Sequence, residues 1–128
     1  MIDLEDLKKY DLIYLATPYS AYEWGIEFAW KDASALAGAL LKKGLNIYSP
    51  VAHTHPIAIY GNINPLDHET WMRFDAAMVK KSDVLLVAKM RGWGESKGIA
   101  IEIEAFQKMN KPIYMLDQWS LEAQLLVA

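Results

Sequence analysis

The chain alternates short apolar runs with longer segments in which apolar residues recur at helical spacing. The runs are apolar almost throughout, a pattern typical of strands that are buried on both faces of a parallel sheet. Pro18 and Pro50 follow the first two runs and are expected to stop those strands. The predicted strands are residues 11–16, 45–49, 84–88 and 111–116.

Helices are predicted between these strands. The spacing of Ile26, Trp30 and Ala33 predicts a long helix over about residues 23–43, and Gly44 supplies a stop signal. Further helices are predicted at about residues 67–81, with Asp67 as the cap, at 97–109 and in the tail at 120–127, whereas residues 51–65 are expected to form a long loop.

This order predicts an α/β domain in which helices cover both faces of a parallel sheet. Ligands of such folds bind at the carboxyl ends of the strands. Residues that bind a ligand or take part in catalysis are therefore expected after each of the first three strands. These segments contain Thr17, Tyr19 and Ser20, then His53 and His55, then residues 90–96.

Composition narrows the class of protein. A chain of 128 residues fits one domain, residues 1–128. Lys and Arg number 13 against 16 Asp and Glu, and the net charge of −3 disfavours nucleic acid and anionic membranes as partners. No Cys is present, which excludes disulfides, thiolate metal sites and a thiol nucleophile. An acidic N-terminus and the lack of a long apolar stretch favour a cytoplasmic protein.

The apolar content is high for so small a domain. Hydrophobic residues make up 53% of the chain, and the aromatic residues comprise 5 Trp, 7 Tyr and 3 Phe. Small domains have much surface for their volume, so part of this apolar surface is expected to face a partner chain or a ligand.

Residues 92–102, which run from a loop into a predicted helix, contain the clearest candidates for binding and catalytic residues. Its glycines precede a predicted helix, and the free backbone N–H groups at the start of such a helix can bind an anion. An ordinary turn without a ligand has the same composition and is the alternative. At about 100° per residue, Glu102 lies at the edge of the apolar stripe of Ile99 and Phe106. A poorly hydrated carboxylate near a helix N-terminus suits nucleophilic chemistry. A surface glutamate is the alternative for Glu102, and Glu104 is expected to face solvent.

Asp75 is the second candidate carboxylate. Its neighbours at helical spacing are Trp71, Met72 and Met78, which form an apolar face. A carboxylate on such a face is either a functional group or the sign of a different helix register, and the sequence leaves both open.

Two histidines and a tryptophan lie near the expected site. His53 and His55 can bind a metal together with His68, but no acidic cluster lies nearby, and hydrogen bonding within the loop or the pocket is the favoured alternative. Trp93 lies in the loop beside the expected site and is the tryptophan best placed to stack on a planar ring.

Five short motifs lie in order along the chain. Segment 14–20 ends the first strand, residues 49–50 end the second, and D-x-x-M-x-x-x-S-D spans residues 75–83. Residues 92–102 contain Gly-Trp and then S-x-G-x-x-x-E, and residues 111–113 open the fourth strand. Together these motifs resemble the nucleoside 2-deoxyribosyltransferase-like superfamily, in particular its small bacterial and phage branches, which are related to N-glycosidases of nucleoside 5′-monophosphates.

The resemblance implies a flavodoxin/Rossmann-like three-layer sandwich with a parallel sheet of four to five strands. In that family a helix glutamate is the nucleophile, and it corresponds to Glu102. A strand tyrosine positions this glutamate and corresponds to Tyr14. An aspartate contacts or protonates the base and corresponds to Asp75. The implied reaction needs no metal or organic cofactor.

The resemblance also bears on the substrate. The position of Ser96 is aspartate in relatives that use nucleosides and serine in relatives that use 5′-monophosphates, so a monophosphate is favoured. The family's Gly-Thr before the nucleophile is Gly98-Ile99 here, which removes one hydroxyl.

The expected function is cleavage or transfer of the N-glycosidic bond of a (deoxy)nucleoside or nucleoside 5′-monophosphate, through a covalent glycosyl-enzyme. A non-catalytic nucleotide-binding or regulatory protein is the alternative, and a His-dependent metal hydrolase is a weaker one. Relatives are dimers or higher oligomers, so a homodimer or higher homo-oligomer is implied. The residues expected to bind the substrate are Ser96, Gly98, Trp93, Thr17, Tyr19, Ser20, His53 and His55.

Overall fold

The computed structural model describes residues 2–127, and in that range one sheet contains five strands. The strands are β1 (Ile13–Ala16), β2 (Ile47–Tyr48), β3 (Val84–Ala88), β4 (Ile113–Leu116) and β5 (Ala123–Val127). Their order is β2-β1-β3-β4-β5, in which β1 to β4 run parallel and β5 runs antiparallel to β4. This is the order of a flavodoxin-like, doubly wound sheet, and it confirms the predicted three-layer α/β fold.

Within the same range, four α-helices accompany the sheet. They are α1 (Ile26–Lys42), α2 (Pro50–Tyr60), α3 (His68–Lys81) and α4 (Lys97–Lys108), and 3₁₀ helices span Leu4–Lys9 and Trp93–Glu95. None of the helices in the described range is both long and apolar enough to cross a membrane.

Alternate strand residues face opposite sides of the sheet, and both sides are covered. Ile13 and Leu15 lie in one apolar cluster with Leu40 of α1. Tyr14 faces the other side, in a cluster with Phe106 of α4. Because β1 and β3 are buried along their whole length, their continuous apolar sequence is explained.

The predicted helix in the tail is wrong, because residues 123–127 form β5. The carboxylate of Asp117 accepts the backbone N–H groups of Trp119 and Ser120, both at 2.9 Å. These bonds turn the chain back immediately after β4, and the returning segment pairs with that strand. The sheet is therefore mixed rather than wholly parallel.

The predicted long loop at residues 51–65 is also wrong, because it contains α2. The Ser49 hydroxyl caps this helix by accepting a backbone N–H of the first turn at 3.3 Å, and Pro50 occupies a position that needs no N–H donor. Pro56 lies inside the helix, which is why the sequence pattern favours a loop. His53 and His55 are consequently held by a helix.

Gly92 lies in the loop after β3, at a point where this loop packs closely against the loop after β1. Its φ of 89° lies in the left-handed region, and a Cβ built on it would lie 2.1 Å from the carbonyl oxygen of Ala21. The adjacent Arg91 pairs with Glu23, with 2.8 Å between Nη1 and Oε2. The close approach of these two loops depends on the absence of a side chain at Gly92.

Gly92→Ala is expected to lower the free energy of unfolding by about 2 kcal/mol or more, because it adds backbone strain and a steric clash. Gly94→Ala is the matched control, since its φ is not left-handed and no described atom lies within 4 Å of its Cβ position. Urea unfolding followed by tryptophan fluorescence measures both variants. Similar, small effects of the two substitutions would contradict the close approach.

Candidate functional site

A cavity of about 550 Å³ lies at the carboxyl ends of β1, β2 and β3 and extends along the groove between α3 and α4. This is the edge of the sheet at which the topology predicts ligand binding. Asp75 of α3 and Glu102 of α4 both line it. Other residues of the cavity wall include Thr17, Tyr19, Ser20, Thr54, Ser96 and Gly98.

Glu102 lies in the second turn of α4, beside the apolar stripe that covers the sheet. Ile99 and Phe106 of that stripe are buried, as the helical spacing predicts. Glu102 is partly buried in the cavity wall, whereas Glu104 is exposed and pairs with Lys108 at 3.0 Å. One helix therefore presents one glutamate to the cavity and another to solvent.

Burial gives the two cavity carboxyl groups unusual acid–base properties. The pKa of Glu102 is raised to about 8 by burial, with the Tyr14 hydroxyl lowering it and the Asp75 carboxylate raising it further. Burial also raises the pKa of Asp75 to about 6. Between these values the pair carries one proton, so near neutral pH it contains one carboxylate and one carboxylic acid. In that state one group can attack while the other donates a proton.

Two tyrosines lie close to this pair. Tyr14 is fully buried in β1, and Tyr48 is its register partner in β2, with the ring centroids 5.6 Å apart in an edge-to-face arrangement. Burial and the charges of Glu102 and Asp75 raise the pKa of both hydroxyls well above the ordinary value, so both stay protonated. The Tyr14 hydroxyl lies close enough to Glu102 to lower the pKa of that carboxyl group, and the buried Tyr48 hydroxyl has no hydrogen-bond partner among the described residues.

Tyr48 is the functional candidate that the sequence prediction omits. Residues in register on neighbouring parallel strands lie side by side on one face. Once β1 and β2 are neighbours, Tyr48 must therefore lie beside Tyr14. The chain order of the first two strands was the available signal, because consecutive strands are often adjacent in a sheet.

The N-terminus of α4 faces the same cavity. The Ser96 hydroxyl caps this helix by accepting the backbone N–H of Ile99 at 3.2 Å. This bond uses a lone pair of the oxygen, so the hydroxyl can still donate its proton to a ligand. Gly98 also lines the cavity. The structure thus brings the predicted Ser96 and Gly98 together beside Glu102.

The two predicted histidines lie behind the cavity wall. His55 is only 2% exposed, and its Nδ1 lies 2.6 Å from the Tyr19 hydroxyl. His53 stacks on Phe74, with the ring centroids 5.2 Å apart. Neither imidazole belongs to the cavity wall in the part of the chain that the structure covers.

The predicted ring-stacking residue is used differently. Trp93 packs against the core cluster that contains Tyr14 and Phe106, and the cavity wall formed by residues 2–127 does not include it. Trp93 is the first residue of a 3₁₀ helix that follows Gly92, whose backbone is left-handed. Its apolar surface is used in packing rather than at the cavity.

The side chains give no support to a metal centre. Within residues 2–127 no group of three or more His, Cys, Asp or Glu is arranged to hold a metal ion. The two ring nitrogens of His55 face Tyr19 and Glu27, and His53 stacks on an aromatic ring, so the two imidazoles do not form a ligand pair.

Comparison with known proteins gives two findings. The family model described as "Domain of unknown function (DUF1937)" matches residues 11–118. The solved structure described as "Solution Structure of BlsM" has a similar fold, with a TM-score of 0.58 and 20% sequence identity over 84% of this chain. The chain spans 64% of that protein's length, and at this identity the likeness shows the fold alone. No curated protein matches the chain significantly.

Glu102 is expected to make the folded state sensitive to pH. Its pKa is raised from 4.5 to about 8, so in this range the folded state binds more protons than the unfolded state. The free energy of unfolding therefore falls as the pH rises from about 4.5 to about 8. Glu102→Gln removes the ionisation, so the variant should be more stable than the wild type at pH 9 by on the order of a few kcal/mol.

The stability difference should shrink towards pH 5, where Glu102 is neutral in the folded wild type. Thermal melts at the two pH values measure it. Glu104→Gln is the control, because this carboxylate is exposed and pairs with Lys108, and an exposed pair contributes little. Equal pH dependence in the wild type and Glu102→Gln would contradict a buried, ionisable Glu102.

Proposed function

The chain belongs to the family described as domain of unknown function (DUF1937), and we propose that it cleaves or transfers the N-glycosidic bond of a (deoxy)nucleoside or nucleoside 5′-monophosphate. One observation carries this proposal: Glu102 and Asp75 line one cavity, and burial raises the pKa of both carboxyl groups. Breaking a glycosidic bond with a covalent intermediate needs such a nucleophile and proton donor. The motif resemblance to the nucleoside 2-deoxyribosyltransferase-like superfamily supports the same two roles.

In the proposed reaction, a carboxylate oxygen of Glu102 attacks the anomeric carbon while the bond from that carbon to the base nitrogen breaks. The electron pair of this bond passes to the base, and Asp75 donates a proton to it. The products are the free base and an ester between Glu102 and the sugar. Water then resolves the ester in a hydrolase, or a second base does so in a transferase, and Asp75 accepts the proton released by that nucleophile.

This reaction requires the shared proton to lie on Asp75 at the moment of attack. In the free protein the higher pKa belongs to Glu102, so substrate binding must reverse the order. Positive charge that develops at the anomeric carbon as the bond breaks favours the ionised form of Glu102. A base nitrogen beside Asp75 supplies an acceptor for the proton.

The N-terminus of α4 supports a 5′-monophosphate as the preferred form of the substrate. An aspartate at the position of Ser96 would repel a phosphate dianion. A serine hydroxyl and the backbone N–H groups of the first turn can instead donate hydrogen bonds to it. Ser96 and Gly98 both line the cavity, on the same helix as the proposed nucleophile.

We also propose that the protein is a homodimer or higher homo-oligomer. Trp24 is 58% exposed and Phe28 is 52% exposed at the start of α1, and Ile59 is 54% exposed on the neighbouring α2. Several large apolar side chains left exposed on adjacent elements are expected at an interface between chains. Sedimentation at micromolar concentration tests this proposal, and a stable monomer would contradict it.

Release of free base tests the proposed function directly. The protein is incubated with the common nucleosides and their 5′-monophosphates, and free base is measured by chromatography. Glu102→Ala is expected to reduce base release by about a thousandfold or more, and Asp75→Asn by about a hundredfold or more. Glu104→Gln, on the solvent side of the same helix, should leave the rate unchanged.

A second base added to the mixture separates transfer from hydrolysis. Full base release by Glu102→Ala would contradict the nucleophile assignment. Binding of a substrate by the wild type with no base release at all would favour the alternative of a non-catalytic nucleotide-binding protein.

The two carboxyl groups also predict the pH dependence of the reaction. The value of kcat/KM reports the ionisation of the free protein, so it should be bell-shaped, with limbs near pH 6 and pH 8 set by Asp75 and Glu102. Asp75→Asn removes one of the two ionisations and should leave a single limb. A flat profile between pH 5 and pH 9 would contradict a shared proton.

A further inference from the structure

A chain of three side chains runs from the cavity wall through the buried His55 to the exposed Glu27, outside the proposed catalytic pair. Tyr19 belongs to the wall, and its hydroxyl lies 2.6 Å from Nδ1 of His55. His55 is held between two aromatic rings: it stacks on Trp30 with ring centroids 5.2 Å apart, and it meets Tyr19 edge-on at 5.7 Å. Nε2 of the same imidazole lies 3.5 Å from Oε2 of Glu27. Nδ1 is thus hydrogen-bonded, whereas Nε2 is buried near a carboxylate oxygen without a hydrogen-bond partner among the described residues.

The surroundings of His55 determine which nitrogen carries the proton. A carboxylate oxygen faces Nε2, and a lone pair at Nε2 would be repelled by it, so the proton belongs on Nε2. The other carboxylate oxygen of Glu27 lies 3.4 Å from the ammonium group of Lys31, and both of these side chains are exposed. Nδ1 is then unprotonated and accepts the hydrogen bond from the Tyr19 hydroxyl. Burial raises the pKa of Tyr19 to about 12, and Glu27 adds to this effect, so that hydroxyl stays protonated.

This arrangement determines whether the Tyr19 hydroxyl can donate or accept a hydrogen bond with a ligand. With its proton directed to His55, the hydroxyl oxygen can act towards the cavity only as an acceptor. Thr17 and Thr54 belong to the same wall, and their buried hydroxyls have no hydrogen-bond partner among residues 2–127. The lysines of the cavity wall lie elsewhere, on α3 and α4. The Tyr19 hydroxyl therefore offers the cavity an uncharged acceptor oxygen, which suits a hydroxyl-bearing group better than an anion.

We propose that Glu27 and His55 are positioning residues that hold Tyr19 as a hydrogen-bond acceptor, so that the Tyr19 hydroxyl recognises a hydroxyl group on the sugar of the substrate. The identity of the ligand as a sugar rests on the proposed function. The hydrogen-bond direction between Tyr19 and His55 rests only on the geometry of this chain. The phosphate of a 5′-monophosphate would then bind at Ser96 and Gly98 rather than at Tyr19.

The protonated nitrogen of His55 is measurable without any ligand. A long-range proton–nitrogen correlation spectrum of the labelled protein distinguishes the two neutral forms of each imidazole, and the signals missing from His55→Asn identify His55. We expect the proton on Nε2 at pH 7.5, and a shift of the Nδ1 signal in Tyr19→Phe, which removes its hydrogen-bond donor. A proton on Nδ1 overturns the proposed direction.

Ligand discrimination tests the second half of the proposal. The probes are the common ribonucleosides and their 5′-monophosphates, each with its 2′-deoxy and 3′-deoxy counterpart, and binding is measured by calorimetry. The wild type should bind the ribose form more tightly than at least one of its two deoxy counterparts by about tenfold, and Tyr19→Phe should abolish this preference. His55→Asn should weaken the preference as well. Tyr60→Phe is the control, because Tyr60 is 91% exposed and should leave the preference intact.

Base release measured in the same samples separates this inference from the proposed function. Base release with no effect of Tyr19→Phe on discrimination overturns the inference and leaves the proposed function standing. Discrimination in binding without base release supports the inference and contradicts the proposed reaction. Binding of none of the probes overturns the assignment of a sugar ligand.

Discussion

Two partly buried carboxyl groups line one cavity beside the sheet, and the remaining features of the site depend on this constraint. Asp75 and Glu102 belong to neighbouring helices on one side of the sheet, and both contribute to the same cavity wall. An ionised carboxylate in such surroundings is unfavourable, so the pair retains a proton that separate, exposed carboxyl groups would lose. The packing of the sheet and of the two helices must supply the free energy that keeps the groups there.

The elements around this pair are rigid, which suits chemistry that depends on accurate placement. Tyr14 extends from a strand whose residues are all fully buried, and Tyr48 stands beside it in register. Glu102 belongs to α4, whose apolar stripe packs against the sheet through Phe106. On the opposite wall, α2 holds His55 against Trp30, so Tyr19 is supported from behind. The site is thus built from side chains whose positions are determined by core packing.

The sequence predicts those parts of the structure that local periodicity determines. It predicts the strand at Val84–Ala88, and it predicts that Glu104 faces solvent whereas Glu102 lies at the edge of the apolar stripe. Both predictions follow from the spacing of apolar residues. It fails at α2, where Pro56 argues against a helix that capping at Ser49 and tertiary packing nevertheless stabilise. It fails again at β5, where a side chain of Asp117 reverses the chain. Tyr48 and the partners of His55 depend on contacts between distant segments, which the pattern of one sequence does not contain.

The proposed reaction requires Glu102 to become covalently attached to the sugar. The most direct measurement is mass spectrometry of the intact protein and of its peptides after incubation with a 2-fluoro-2-deoxyribosyl substrate analogue, in which the fluorine slows resolution of the ester. We expect the mass of one sugar to be added to the peptide that contains Glu102, and no such addition in Glu102→Gln. Release of free base without any adduct on that peptide, or an adduct that persists in Glu102→Gln, would contradict it.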